Sequence, residues 1–281
     1  MLYNTHVVEH TIERAGVRLA AEEHGEGIPV VLLHGLTATR RYVVMGSKAL
    51  ERSGHRVVSY DARGHGRSSP APEPDAYTYE DLVLDTLAVL DALGAGRAVL
   101  AGASMGAHTL LALALAVPDR VAGLVLITPA YDPRVSEDPE RLAHWDALSE
   151  GLRTGGVDGF VAASGRPNVP EEWQETVTRV TRQRLSLHEH PEAVADALRV
   201  VPRSRPFERI EQLSAISAPV AVVASADEPD PTHPQAVGEA YAAVIPGARL
   251  VLDQQGRSPI AWQGSQLSKI IAEIAAEAEL G

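Results

Sequence analysis

The sequence predicts an α/β protein: a mostly parallel, twisted sheet with flanking helices and a helical lid inserted between two strands. Three observations carry this prediction. Short apolar runs rich in Val, Leu and Ile recur along the chain, helical stretches alternate with them, and from about 132 to 213 the alternation gives way to helices alone. Runs of that kind, buried on both faces, are what a parallel sheet requires. Strand alternating with helix implies right-handed crossovers that cover both faces of the sheet.

The first two segments, HVVEHTIERAG and VRLAAEEHG, alternate polar and apolar residues and are split by Gly16, the pattern of an antiparallel hairpin. The apolar runs follow: IPVVLLHG, HRVVSYD, RAVLAGAS, VAGLVLITPA, APVAVVASAD and ARLVLD, each leading into Gly, Asp, Ser or Pro. Between them, YEDLVLDTLAVLDALG puts Leu82, Leu84, Leu87, Val89, Leu90 and Leu93 largely on one side and stops at Gly94. MGAHTLLALALAVP stops at Pro118, and GSQLSKIIAEIAAEAEL is the last such helix. Three further helical stretches fall together: DPERLAHWDALSEGLR, EEWQETVTRVTRQRLSL after Pro170 and PEAVADALRVV after His190, their prolines placed where a first turn tolerates them. The expected division is therefore a core of residues 1–131 and 214–281 and a lid of residues 132–213 folded onto the sheet.

A chain of 281 residues with 45% hydrophobic content suffices for one large core, or a core with a lid. A formal net charge of −12, with the arginines scattered and lysine only at 48 and 269, argues against nucleic acid and anionic lipid as partners. No stretch reaches the roughly 18 uninterrupted apolar residues of a membrane span, and the expected location is the cytoplasm. The sequence is compatible with a homo-oligomer. With no cysteine, disulfides, zinc thiolates and cysteine nucleophiles are excluded. The run HEHPE at 188–192 has no third ligand at usable spacing, so neither metal nor cofactor is expected.

Chemistry centres on Gly102-Ala103-Ser104-Met105-Gly106, a G-x-S-x-G between an apolar strand and a helix. In that context the serine sits on a strained strand-to-helix turn, and side chains at the two glycines would collide with neighbouring backbone. The turn exposes Ser104 Oγ and aims the helix N-terminus at any anion formed there. Here the chain resembles the α/β-hydrolase family, from about Val30 to the last helix. VVLLHGLTATR resembles the family's oxyanion-hole turn, which implies that the Leu36 N–H joins that of Met105 to hold a tetrahedral oxyanion. SYDARGHGRSS resembles its D-x-R-G-x-G-x-S turn, with Asp61 and Arg63 bracing the loops. VVASADEPDP resembles its G-x-x-D-x-x-x-P, Ala224 replacing the first Gly, and places Asp227 as the triad acid.

The family's histidine should follow the next strand, in a turn that usually reads Gly-His. After ARLVLD the chain supplies QQGRSP, which puts Arg257 on that position, and no histidine follows His233. A guanidinium with a pKa above about 12 cannot serve as a base near neutral pH. Arg257 can pair with Asp227 or point into the pocket and hold an anionic group. The first candidate for the base is His233, six residues past Asp227 on a loop that borders the nucleophile in this fold. The alternatives for the base are His34, which flanks the oxyanion turn and is also a candidate for substrate binding or for bracing loops, and His108, one turn down the helix after Ser104 and expected to face away. The small-molecule substrate is expected to be an ester, thioester or lactone held in an apolar space under a lid carrying Trp145, Phe160 and Trp173. Two other functions stay open from the sequence: a non-hydrolytic lyase, isomerase or cyclase that uses the oxyanion donors and Arg257, and a small-ligand binding protein without turnover.

Overall fold

The computed structural model describes residues 7–226, 230–253 and 262–280, with the backbone alone at 279 and 280. Strand β1 (Val8–Arg14) pairs antiparallel with β2 (Val17–His24) across Ala15 and Gly16, both at positive φ, as a tight hairpin turn requires. Strand β2 buries Val17, Leu19 and Ala21 and pairs antiparallel with β4 (His55–Tyr60). From β4 onward every pairing is parallel: β3 (Ile28–Leu33), β5 (Ala98–Ala103), β6 (Val121–Ile127), β7 (Val220–Ala224) and β8 (Arg249–Leu252). These are the apolar runs of the sequence. Their order in the sheet, β1-β2-β4-β3-β5-β6-β7-β8, reverses direction between β3 and β5. At such a reversal the loops leaving two adjacent strands diverge and open a crevice at their carboxyl ends.

Alternate residues of the strands face two separate layers. On one face Leu100, Leu124 and Leu126 pack with α2 (Tyr79–Ala92), α3 (Met105–Ala116) and α7 (Gln235–Val244). On the other, Val30, Val99 and Val125 pack with Leu50 of the one-turn helix α1 (Ala49–Arg52) and with Leu267, Ile271 and Ile274 of α8 (Gly264–Leu280). Each such side chain contributes about 1.5–3 kcal/mol when fully buried. The strands accordingly read as continuous apolar runs rather than alternating ones.

Helix α2 starts at a reciprocal cap, Thr78 accepting from the Asp81 N–H while the Asp81 carboxylate accepts from the Thr78 N–H. Its buried face differs from the one its leucines suggest. Leu84 is exposed, whereas Asp85 and Thr86 are buried. Polar partners explain the rotation: Arg63 donates to both Asp85 oxygens at 2.7 Å, Arg14 adds a third contact at 3.2 Å, and Tyr60 shares a hydrogen bond with Thr86.

Between β6 and β7 the chain forms α4 (Pro139–Ser164), broken at Gly156, then α5 (Glu171–Leu185) and α6 (Pro191–Val200). Leu148, Leu152, Phe160, Leu185, Val194 and Leu198 from these helices share one buried cluster with Leu36, Tyr77, Leu82 and Met105 of the sheet layer. These helices therefore pack against the loop after β3 and the first turn of α3. Among the described residues no helix is long and apolar enough to cross a membrane.

The Arg63–Asp85 pair is the buried electrostatic tie of this frame, its side chains 2% and 0% exposed. Removing one partner strands the other charge, so Asp85→Ala should lower unfolding free energy by about 3–5 kcal/mol in urea titrations. Asp91→Ala, which breaks a pair at a carboxylate 68% exposed, should cost about 0–1 kcal/mol.

Candidate active site

Strand β5 runs into α3 through Ser104, held at φ 49° and ψ −111°, a conformation that costs a non-glycine residue about 1–3 kcal/mol. Its glycine neighbours are required by contact. A Cβ at Gly102 would run into the backbone of Gly106, and one at Gly106 into the Leu33 carbonyl on β3. The Ser104 N–H donates to the Ile127 carbonyl at 2.9 Å, which ties the turn to β6 as well.

His233 Nε2 lies 2.9 Å from Ser104 Oγ. Its other nitrogen, Nδ1, lies 2.8 Å from Asp230 Oδ1. Both side chains belong to one β-turn, Asp230-Pro231-Thr232-His233, closed by the His233 N–H donating to the Asp230 carbonyl at 3.1 Å. Asp at the first position and Pro at the second are residues this turn favours. Because the carboxylate can only accept, Nδ1 carries the proton in the neutral ring and the Nε2 lone pair faces the serine hydroxyl. That arrangement can take the hydroxyl proton as the oxygen attacks an acyl carbon.

Asp227 and Arg257, the expected acid and the residue on the usual histidine position, lie outside the described residues. Asp230 was not singled out in the sequence. Its signal was the D-x-x-H spacing around Pro231, which a β-turn folds into contact.

The turn after β3 closes on the other side of Ser104. A Cβ at Gly35 would lie 3.4 Å from the Ala103 carbonyl oxygen and 3.5 Å from Ser104 Cβ. Leu36 and Met105 are both buried here, and Met105 opens α3, so its N–H is among the four without an intrahelical acceptor. His34 braces this turn: Nδ1–H donates to the Gly35 carbonyl at 2.8 Å and Nε2 accepts from the Ala62 N–H at 2.9 Å. Neither ring nitrogen is left for a substrate. The carbonyl of Leu36 itself is held by His65 Nε2 at 2.7 Å, while His65 Nδ1 lies 2.8 Å from the Arg63 carbonyl.

Asp61 collects the Arg40 and Arg67 N–H groups at 2.8 and 3.0 Å and the Arg40 guanidinium. With Arg63 it braces the loops around the site. His108 faces away from Ser104, its Nδ1–H toward Tyr79 Oη and its Nε2 accepting the N–H groups of Ala130 and Tyr131. His188, from the inserted helices, accepts the Gly66 N–H and donates toward the Thr37 carbonyl, joining the insertion to the oxyanion-side loops. A cavity of about 500 Å³ lined by Glu22, His24, Arg40, Lys48 and Glu51 touches neither Ser104 nor His233.

A sequence profile described as the alpha/beta hydrolase fold matches residues 28–218. A protein of Variovorax paradoxus strain S110, named as the carbamate hydrolase RutD, is 33% identical over 213 residues, which cover 74% of this chain and 77% of that one. A protein of Mycobacterium phage D29, named as a non-heme haloperoxidase, is 38% identical over 134 residues, about half of each chain at 48% and 47%. Among solved structures, a thermophilic esterase from Thermogutta terrifontis with malate bound superposes at a TM-score of 0.73 and 28% identity, covering 98% of this chain and 97% of that one.

The bracing histidines give the site a definite acid sensitivity. Burial pushes His34, His108 and His188 down from the ordinary 6.5 to about 3, with the neighbouring His65 contributing at His34 and His188. Below 6.5 the unfolded chain takes up these protons first, so stability is lost as pH falls from 6.5 toward 3. Melting temperature should drop across that interval. In His188→Asn, whose amide oxygen can still accept from Gly66, the loss per pH unit should shrink by the ~1.4 kcal/mol that one proton carries.

Proposed function

The chain belongs to the alpha/beta hydrolase fold family and is a hydrolase, and on that premise we propose that it cleaves a small or medium carboxylic ester, thioester or lactone through an acyl-enzyme on Ser104. Ser104 Oγ attacks the acyl carbon as His233 Nε2 removes its proton. The oxygen that gains charge is met by the N–H groups of Leu36 and Met105, reinforced by the positive end of α3. Collapse of the tetrahedral intermediate breaks the bond to the leaving group, which takes the proton from His233 Nε2. Water then attacks the acyl-enzyme with the same ring as base, and Ser104 is regenerated. Asp230 holds Nδ1–H throughout and stabilises the imidazolium that forms twice per turnover.

The observation that carries this proposal is the 2.9 Å contact between His233 Nε2 and Ser104 Oγ, backed by the 2.8 Å contact to Asp230. It supplies a base where Arg257 cannot. Assigning orientation to Asp230 rather than Asp227 rests on the turn that fixes Asp230 against the ring. A carbamate presents the same kind of acyl carbon, and the Variovorax relative carries that substrate in its name. The helices of residues 132–213 act as the lid of the site, supported by the cluster they share with Leu36 and Met105.

Intact-mass labelling with a fluorophosphonate should give a stoichiometric adduct that disappears in Ser104→Ala. On p-nitrophenyl esters, His233→Ala should lower kcat by at least about 10³-fold, leaving the rate that oxyanion donors alone provide. Unchanged turnover in that variant would remove His233 from the mechanism. Asp230→Asn should cost about 10²- to 10⁴-fold and exceed the effect of Asp227→Asn; the reverse order would return the acid's role to Asp227.

A further inference from the structure

Thr128 follows the last residue of β6 at φ 45°. Among the described residues only Ala15, Met45, Ser104 and Thr128 combine a side chain with positive φ, and of these Thr128 alone is β-branched. For a β-branched residue this backbone is a genuine outlier, and Pro129 after it favours extended backbone as well. The conformation persists because the segment is pinned. The Thr128 N–H donates to the Val223 carbonyl at 2.7 Å, the N–H groups of Ala130 and Tyr131 donate to His108 Nε2 at 2.9 and 3.0 Å, and Tyr241 Oη donates to the Tyr131 carbonyl at 2.5 Å. Strain held this firmly clusters where a side chain is put to use. Yet the Thr128 hydroxyl bonds to no described residue, and its oxygen stays open to solvent.

The strand order places this hydroxyl. Ala103 pairs with Ile127 in the parallel register, and the Ser104 N–H donates to the Ile127 carbonyl at 2.9 Å, so Thr128 lies beside Ser104 at the carboxyl edge of the sheet. Along that edge β3, β5, β6 and β7 carry, in this order, the oxyanion-side turn, Ser104, Thr128 and the loop of His233. His233 Nε2 reaches Ser104 Oγ at 2.9 Å although β6 stands between their two strands. Neighbouring strands lie about 4.8 Å apart, so the loop must carry the ring across the end of β6 to make that contact. Thr128 stands at that end, on the side of Ser104 away from the β3 turn.

We infer that Thr128 Oγ1 holds the water that hydrolyses the acyl-enzyme, an assignment that rests on the serine hydrolase reading and adds a residue to its second half. The attacking water must lie between the acyl carbon and His233 Nε2, away from the oxyanion donors. As its oxygen bonds to the acyl carbon, one hydrogen passes to Nε2 and the other donates to Thr128 Oγ1. The bond from Ser104 Oγ to the acyl carbon then breaks, and Oγ takes the proton back from Nε2. A hydroxyl suits this position because it accepts from water and remains uncharged throughout. Acylation by an ester whose leaving group is as weakly basic as p-nitrophenolate needs no such partner.

The test separates the two half-reactions. p-Nitrophenyl dimethylcarbamate should load Ser104 with a dimethylcarbamoyl group, whose slow hydrolysis can be followed by intact mass. Thr128→Val keeps the β-branching, and with it the strain, and removes only the hydroxyl. It should load within about twofold of the unmodified protein and lose the carbamoyl group about 10-fold more slowly. On p-nitrophenyl acetate its kcat and KM should fall together, leaving kcat/KM within about twofold. Thr128→Ser should restore the decay to within about threefold. Thr128→Gly, which relieves the positive φ, should decay as slowly as Thr128→Val while its melting temperature holds or rises. Unchanged decay in Thr128→Val overturns the inference, and so does an equal loss in loading and decay, or in kcat and kcat/KM, which a structural role would produce. If the unmodified protein takes up neither the carbamoyl group nor a fluorophosphonate, the serine hydrolase reading fails and this inference falls with it.

Discussion

The site depends on how closely α3 approaches β3. Gly106 packs against the Leu33 carbonyl and Gly102 against Gly106, so the helix leaves β5 without the spacing that side chains would impose. That approach forces Ser104 into positive φ and lifts its hydroxyl clear of the sheet. The parallel pairing of Leu33 with Gly102 brings the turn after β3 level with Ser104. Every other part of the constellation is positioned relative to this junction. A larger residue at either glycine would disturb the serine, the oxyanion side and the first turn of α3 together.

Around that junction the protein keeps its donors in place with uncharged rings. His34, His65 and His188 bind backbone groups on consecutive loops, and together they hold the segment Gly35 to Thr37 by its three carbonyls. Fixing the carbonyls of a short turn fixes where its N–H groups point, which an oxyanion site requires before charge develops. Burial at His65 keeps its pKa low although two carbonyls favour a second ring proton. The frame beneath is ionic instead, with Asp61 and Asp85 fully buried among arginines.

Much of this was legible in the sequence. The apolar runs became the strands β3 to β8, Gly16 marked the hairpin, and the glycines around Ser104 foretold the contacts that make the turn. His233 was singled out because its loop follows the strand beside the serine, and it lies against Ser104. Other features depended on contacts between segments distant in sequence. Leu84 faces solvent because Arg63 and Arg14 draw Asp85 inward, and no periodicity within the helix encodes those partners. His34 looked available for substrate, yet Gly35 and Ala62 engage both its nitrogens.

Asp230 and His233 are three residues apart, and the contact between them closes a loop of one turn. Bringing together groups that are far apart along the chain costs closure entropy and ties their spacing to everything between. Here the pair is set by four consecutive residues between β7 and α7. It can travel as a unit, in evolution or in grafting, because any scaffold that presents such a turn beside a serine inherits both partners at once. In the mechanism proposed above, the segment after β8 takes no part in proton transfer. Its sequence is free to drift toward other duties, and an arginine at 257 is the sort of residue that such freedom permits.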